Sequence, residues 1–188
     1  MQEIDIIIRN RRAVFPDMYE DGKEISNDII LNILENANWA PNHKLTEPWR
    51  FKIFKDASLV KLGDFLGQQY KKNTKPELFS EMKYKKTIEK VNKCGCIIAV
   101  CIQVDQDHRL PEEEEILAVG AAIENMWLSC SAQGIGCYLS TPGAIRHIGE
   151  LVNLSEGERC VGLFYMGWKK EGELIGKRTP VGDKIVWV

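Results

Sequence analysis

The 188-residue sequence has little of what most anchoring and catalytic motifs require. No apolar run reaches the roughly 20 residues that cross a bilayer, which leaves no expectation of a membrane partner. Histidine is scarce: His43, His108 and His147 stand far apart and form no HxxxH pair, so no metal site is expected. There is no GxSxG elbow and no CxxC. The GIG at Gly134–Gly136 lacks a third glycine and leads from a helix pattern into a strand pattern, so it is not a dinucleotide fingerprint. Gly172–Lys177 is one residue short of a GxxxxGK phosphate loop. An excess of positive charge is also missing. Lys and Arg total 25 against 27 Asp and Glu, so nucleic acid is not expected as a partner and any anion site must be local. The opening MQEIDIIIRNRR has its apolar residues before its charges and no small-residue cleavage site, which argues against a signal peptide and for a cytoplasmic location.

What remains reads as one soluble domain spanning residues 1–188. The six cysteines lie mostly in apolar segments and read as small buried hydrophobes kept reduced. Cys94 and Cys96 flank a single glycine, a spacing that places both on one face of a strand. EIDIIIRNRR predicts a short helix. A second helix is expected over about 27–39, with Ser26 as its cap, Ile29, Ile30, Ile33, Leu34 and Ala37 in its apolar stripe, and Pro41 stopping it. WRFKIFK alternates as a half-buried strand, and Asp56 is placed to cap the next helix. The lysine-rich stretch 70–93 predicts helix around 77–91 and has the composition of an excursion or lid.

CGCIIAVCIQV is apolar on both faces and predicts a central strand. PEEEE opens the longest helix, its glutamates complementing the positive end of the helix dipole, and Gly134 closes it. The second half of that helix is apolar nearly all round, which predicts cover by a second subunit. A strand at IGCYLST, a helix over 144–154, a strand at RCVGLFYMGW and an extended tail complete an α+β chain with no internal repeat.

Two features exceed what the fold requires. WAPNHKLTEPWRF packs two tryptophans, two prolines, a histidine and an arginine into one connection. Arg9, Arg11 and Arg12 cluster near one end of the chain, and Lys177 and Arg178 near the other. Two readings of these cations stand: donors gathered on a phosphate, or solvated charges at a helix C-terminus.

Taken in order, NRRA at 10–13, WAPNHKLTEPWRF, AAIENMWLSCSAQGIGCYLS, VGLFYMGW and KRTPVGDKIVWV resemble the nitroreductase family, in its short single-domain bacterial branch. The resemblance implies a three-layer sandwich: a central, mainly antiparallel sheet flanked by helices. It also implies a homodimer formed through long central helices, with FMN at the subunit interface. Arg11, Arg12 and the backbone of Ala13 would then hold the phosphate and ribityl region. Trp39 and His43 would lie against the flavin, Tyr138, Leu139 and Ser140 would reach it from the strand, and Arg178 would add a cation. Hydride would pass from NADH or NADPH to a small electron-poor acceptor such as a nitroaromatic or quinone. The flavin carries that chemistry, so no catalytic side chain is assigned. The other implied outcome is a flavin carrier or sensor of the same fold without turnover. Ala13 stands where many members have serine, Glu47 where many have glutamine, and Leu139 where close members can have arginine.

Overall fold

The computed structural model of the chain describes residues 2–107, 109–172 and 174–188; His108 lies outside them. Its sheet grows around β2 (Cys96–Gln103), where seven consecutive residues from Cys96 to Ile102 are buried. Apolar and β-branched residues on both faces demand cover on both faces, and β2 accordingly lies inside the sheet. It pairs antiparallel with β1 (Trp49–Phe54) and β4 (Glu158–Trp168), and β4 pairs antiparallel with β3 (Ile135–Ser140). The strand order is β1-β2-β4-β3, which leaves β3 at an edge.

One face is covered by α2 (Asn27–Asn38) and α5 (Glu112–Ala132), whose Ile30, Ile33, Met126 and Cys130 pack on Ile98 and Phe164. The other carries α3 (Ala57–Lys72), α4 (Glu81–Asn92) and a 3-10 helix at Gly143–Glu150, packing Leu62, Leu66, Val91 and Ile148 on Ile97 and Leu163. The result is three layers of α+β architecture. No helix of the described residues is long and apolar enough to cross a membrane.

Local chemistry explains most boundaries. Ser26 caps α2 by accepting from the Ile29 amide, and Gly134 takes φ +73° just past α5, the left-handed conformation favoured after a helix end. The lysine-rich segment holds α4, whose Ile88 sits against Gly63 and Gly67 of α3; a side chain at Gly67 would crowd Ile88 and Tyr84.

Three local expectations are corrected. Asp56 occupies the position before α3 but makes no capping bond; the Lys55 amide instead donates to Ser58 Oγ at 2.7 Å. Cys94 and Cys96 face opposite layers, because β2 begins only at Cys96 and the two-residue alternation does not extend back through Gly95. The predicted helix over 144–154 is the 3-10 helix Gly143–Glu150.

Helix α1 (Glu3–Asn10) buries none of its residues, and Ile4, Ile6 and Ile8 stand about half exposed. On α5, Leu117 is 73% exposed, and Ala121, Glu124 and Leu128 continue its line at helical spacing.

Candidate functional site

The loop after α1 is fixed to the sheet by a ring in a notch. Gly136 and Gly167 are paired across β3 and β4, and the Tyr19 ring fills the space their missing side chains leave. A Cβ on Gly167 would stand 2.3 Å from that ring. The buried Tyr19 hydroxyl donates to the Val14 and Tyr165 carbonyls at 3.0 and 3.3 Å. The Val14 amide donates to the Cys137 carbonyl on the outer edge of β3, and Trp127 Nε1 of α5 donates to the Arg12 carbonyl. The backbone at 12–19 is therefore held from both the sheet and α5.

That clamp sets the two arginines apart in role. Arg11 lies with its guanidinium 4.7 Å over the Trp127 ring and its Nε 3.6 Å from Glu124. Arg12 donates to the carbonyls of Arg9, Arg11 and Leu174, the last at 3.1 Å, and so ties the tail to the loop. Gly176 packs directly on the Arg12 guanidinium, where a Cβ would stand 2.3 Å away. No hydrogen bond uses the exposed Ala13 amide among the described residues. Beside this loop lies a cavity of about 520 Å³, lined in part by Arg12, Trp127, Lys169 and Gly176, and by no carboxylate among the described residues. That volume falls within the range of small-molecule pockets, roughly 300–1,000 Å³.

The other expected site residues are distributed as follows. Arg178 is exposed and its guanidinium donates to the neighbouring Lys177 carbonyl. The two residue steps from Gly176 to Arg178 span at most about 7 Å, which keeps Arg178 at the Arg12 end of the molecule. Tyr138 turns its side chain into the α3–α4 layer, with its ring 4.9 Å from Phe15 and 4.7 Å from Tyr165. Burial raises the Tyr138 hydroxyl above the ordinary tyrosine range, and that hydroxyl has no hydrogen-bond partner among the described residues. Leu139 lays its side chain on Gly162. Since the Cys137 carbonyl points out of the edge of β3, the N–H and C=O of Leu139, two residues on, point the same way. Ser140 borders a second cavity of about 490 Å³, with Tyr165 and Lys90 in its wall. The Lys90 amine sits 4.8 Å over the Tyr138 ring and is held below the ordinary lysine range by burial.

Trp39 and His43 do not join the arginines within one chain. Trp39 is 79% exposed, its indole nitrogen donating to Glu35, and His43 Nδ1 lies 2.7 Å from Glu114 near the start of α5. Between them and Pro48 the chain turns sharply, with Lys44, Leu45 and Glu47 all at positive φ. The two groups are thus divided along α5: Arg11 faces Glu124 and Trp127, His43 faces Glu114, and ten to thirteen residues of helix separate them by about 15–20 Å.

Trp127, Lys169, Lys90 and Tyr165 were not singled out from the sequence. Trp127 falls in a helix whose all-round apolarity reads as packing, and Lys169 follows directly on the VGLFYMGW segment.

The profile of the Nitroreductase family matches residues 8–168. Bacillus subtilis YfhC, whose name provisionally assigns it as an NAD(P)H nitroreductase, is 28% identical over 186 residues, covering 95% of this chain and 91% of YfhC. The crystal structure of a nitroreductase-like family protein from Bacillus cereus superimposes with a TM-score of 0.82 at 25% identity, covering 100% of this chain and 97% of that one. The crystal structure of a nitroreductase with bound FMN from Bacteroides fragilis shares the fold at a TM-score of 0.71 and 20% identity, covering all of both chains. The chain belongs to the nitroreductase family.

Proposed function

We propose that this protein is an FMN-dependent oxidoreductase of nitroreductase type, which uses NADH or NADPH to reduce a small electron-poor acceptor such as a nitroaromatic or quinone. The observation that carries this reading is the clamped Arg11–Arg12 loop beside a carboxylate-free cavity of about 520 Å³ at the edge of β3. The donor set suits FMN: guanidinium and ammonium groups at one end for the phosphate dianion, and an open strand edge leading away for the polar rim of a flat ring. Arg12 lines the cavity but spends most of its donors on backbone carbonyls, so Arg11 would take the phosphate by turning from Glu124. Each charge-assisted bond of this kind contributes roughly 1.5–3 kcal/mol. The Ala13 amide would add a neutral donor, Leu139 and Ser140 the strand edge, and Arg178 a further cation from the tail. Bound FMN supplies hydride acceptance from the nicotinamide and electron donation to the acceptor.

A homodimer completes the site. Antiparallel packing of two α5 helices along the Leu117–Leu128 stripe would carry the partner subunit's Trp39 and the partner subunit's His43 toward Arg11, bridging the gap that α5 imposes within one chain. The match to the Nitroreductase family and the FMN-bound Bacteroides fragilis structure support the cofactor assignment. Anaerobic titration of the purified protein with NADH and with NADPH tests the reading. The flavin absorbance of the yellow protein should bleach with at least one nucleotide and return on adding a quinone. Colourless protein that takes up no FMN overturns it, and yellow protein that neither nucleotide reduces reduces it to flavin binding without turnover.

A further inference from the structure

The register between β2 and β4 shifts at one point. Val100 pairs with Gly162 and Cys101 with Cys160, so Val161 is an extra residue on β4. A bulge of this kind re-aims the side chains on one side of it. Beyond it, Leu163 and Tyr165 face the α3–α4 layer and Phe164 and Met166 the α5 layer. Unbroken alternation would send Cys160 to the α5 layer with Phe164. The bulge turns it instead into the α3–α4 layer, where Cys101 already points, while Val161 packs on the α5 side. Two cysteines are thereby directly opposed on adjacent strands and on the same face.

We propose that Cys101 and Cys160 are a redox pair that closes into a reversible disulfide when Cys160 meets a hydroperoxide. Directly paired residues of antiparallel strands have Cα atoms about 4.5–5.5 Å apart, inside the roughly 4.4–6.8 Å that a disulfide spans. Exposure divides the labour. Cys101 is fully buried, whereas Cys160 is half-buried and lines a cavity of about 720 Å³ beside Arg146, Arg159 and Thr141. Hydrogen bonding from the Cys101 thiol lowers the pKa of Cys160 and so favours its thiolate, while the pKa of Cys101 is raised by that contact and by burial. The accessible sulfur is therefore the better nucleophile of the two.

In the first step the Cys160 thiolate attacks the peroxide, the O–O bond breaks, and an alcohol or water leaves with the proton. Cys160 then carries a sulfenic acid. In the second the Cys101 sulfur attacks the Cys160 sulfur, the S–O bond breaks, and water departs with the Cys101 proton. Two thiols have lost two electrons to one hydroperoxide, and a dithiol reductant reverses the bond.

Hydrogen peroxide treatment of the purified protein, alkylation without reduction, proteolysis and peptide mass spectrometry test the pair, whether or not flavin is bound. Wild type should yield a Cys101–Cys160 linked peptide two hydrogens lighter than the free peptides and lost on adding dithiothreitol. In Cys101→Ser, or in Cys101→Val should the serine variant not fold, Cys160 should instead be trapped as a dimedone adduct. A wild-type Cys160 that stays alkylatable, stops at the sulfenic acid, proceeds to sulfinic acid, or links to any other cysteine overturns the proposal.

Discussion

Arg11 and Arg12 are neighbours in sequence with separate duties, and the division comes from their partners. Arg12 holds the tail through Leu174, so Arg12→Ala should expose the 174–188 segment to proteolysis, measured as faster tryptic release of C-terminal peptides than from wild type. Arg109 offers a contrast, since its guanidinium and amide are spent on Asp105. Hydrogen bonding from Arg109 holds the Asp105 carboxyl down to about 2. A carboxylate depressed in the folded state stabilises it above the unfolded value near 3.9 and loses that contribution as pH falls toward 2. The urea-midpoint gap between wild type and Arg109→Ala should therefore be full at pH 5 and shrink by pH 2.5. A gap independent of pH would contradict that pairing. The arginine cluster was legible in the sequence as cations gathered near one end. Which arginine spends its donors on the backbone was not, because that is decided by a carbonyl more than 160 residues away and by a tryptophan on another helix.

At the scale of elements, the site depends on the Tyr19 ring seated between β3 and β4. Gly167→Ala forces a methyl group into that ring and should cost about 1–3 kcal/mol in urea denaturation, with loss of FMN retention as the loop is displaced. Unchanged stability would mean that the ring moves aside freely. Period and composition made the main elements readable: the apolar run of β2, the stripe of α2 with its Ser26 cap, and the long α5 ended by Gly134. Features imposed by a pairing partner were not readable. The Val161 bulge exists only in the register with β2, and Cys94 separates from Cys96 only because β2 starts after Gly95. The exposed Trp39 and the positive-φ turn after it were visible as an unusually furnished connection, but their distance from the arginines was not.

For the whole molecule, the second copy of the chain proposed above would account for the unburied isoleucines of α1, the Leu117 stripe of α5 and the separation of His43 from Arg11. Leu117→Glu places a charge on that stripe and should shift the protein from dimer to monomer in sedimentation at micromolar concentration, with FMN lost at the same time. A Leu117→Glu protein that stays dimeric would place the interface elsewhere. The most direct test of the phosphate cradle is FMN affinity at neutral pH, measured by equilibrium titration of wild type, Arg11→Ala and Arg109→Ala. Loss of a charge-assisted bond of about 1.5–3 kcal/mol predicts at least roughly tenfold weaker binding in Arg11→Ala and no change in Arg109→Ala. Equal affinity in all three proteins would contradict a phosphate role for Arg11.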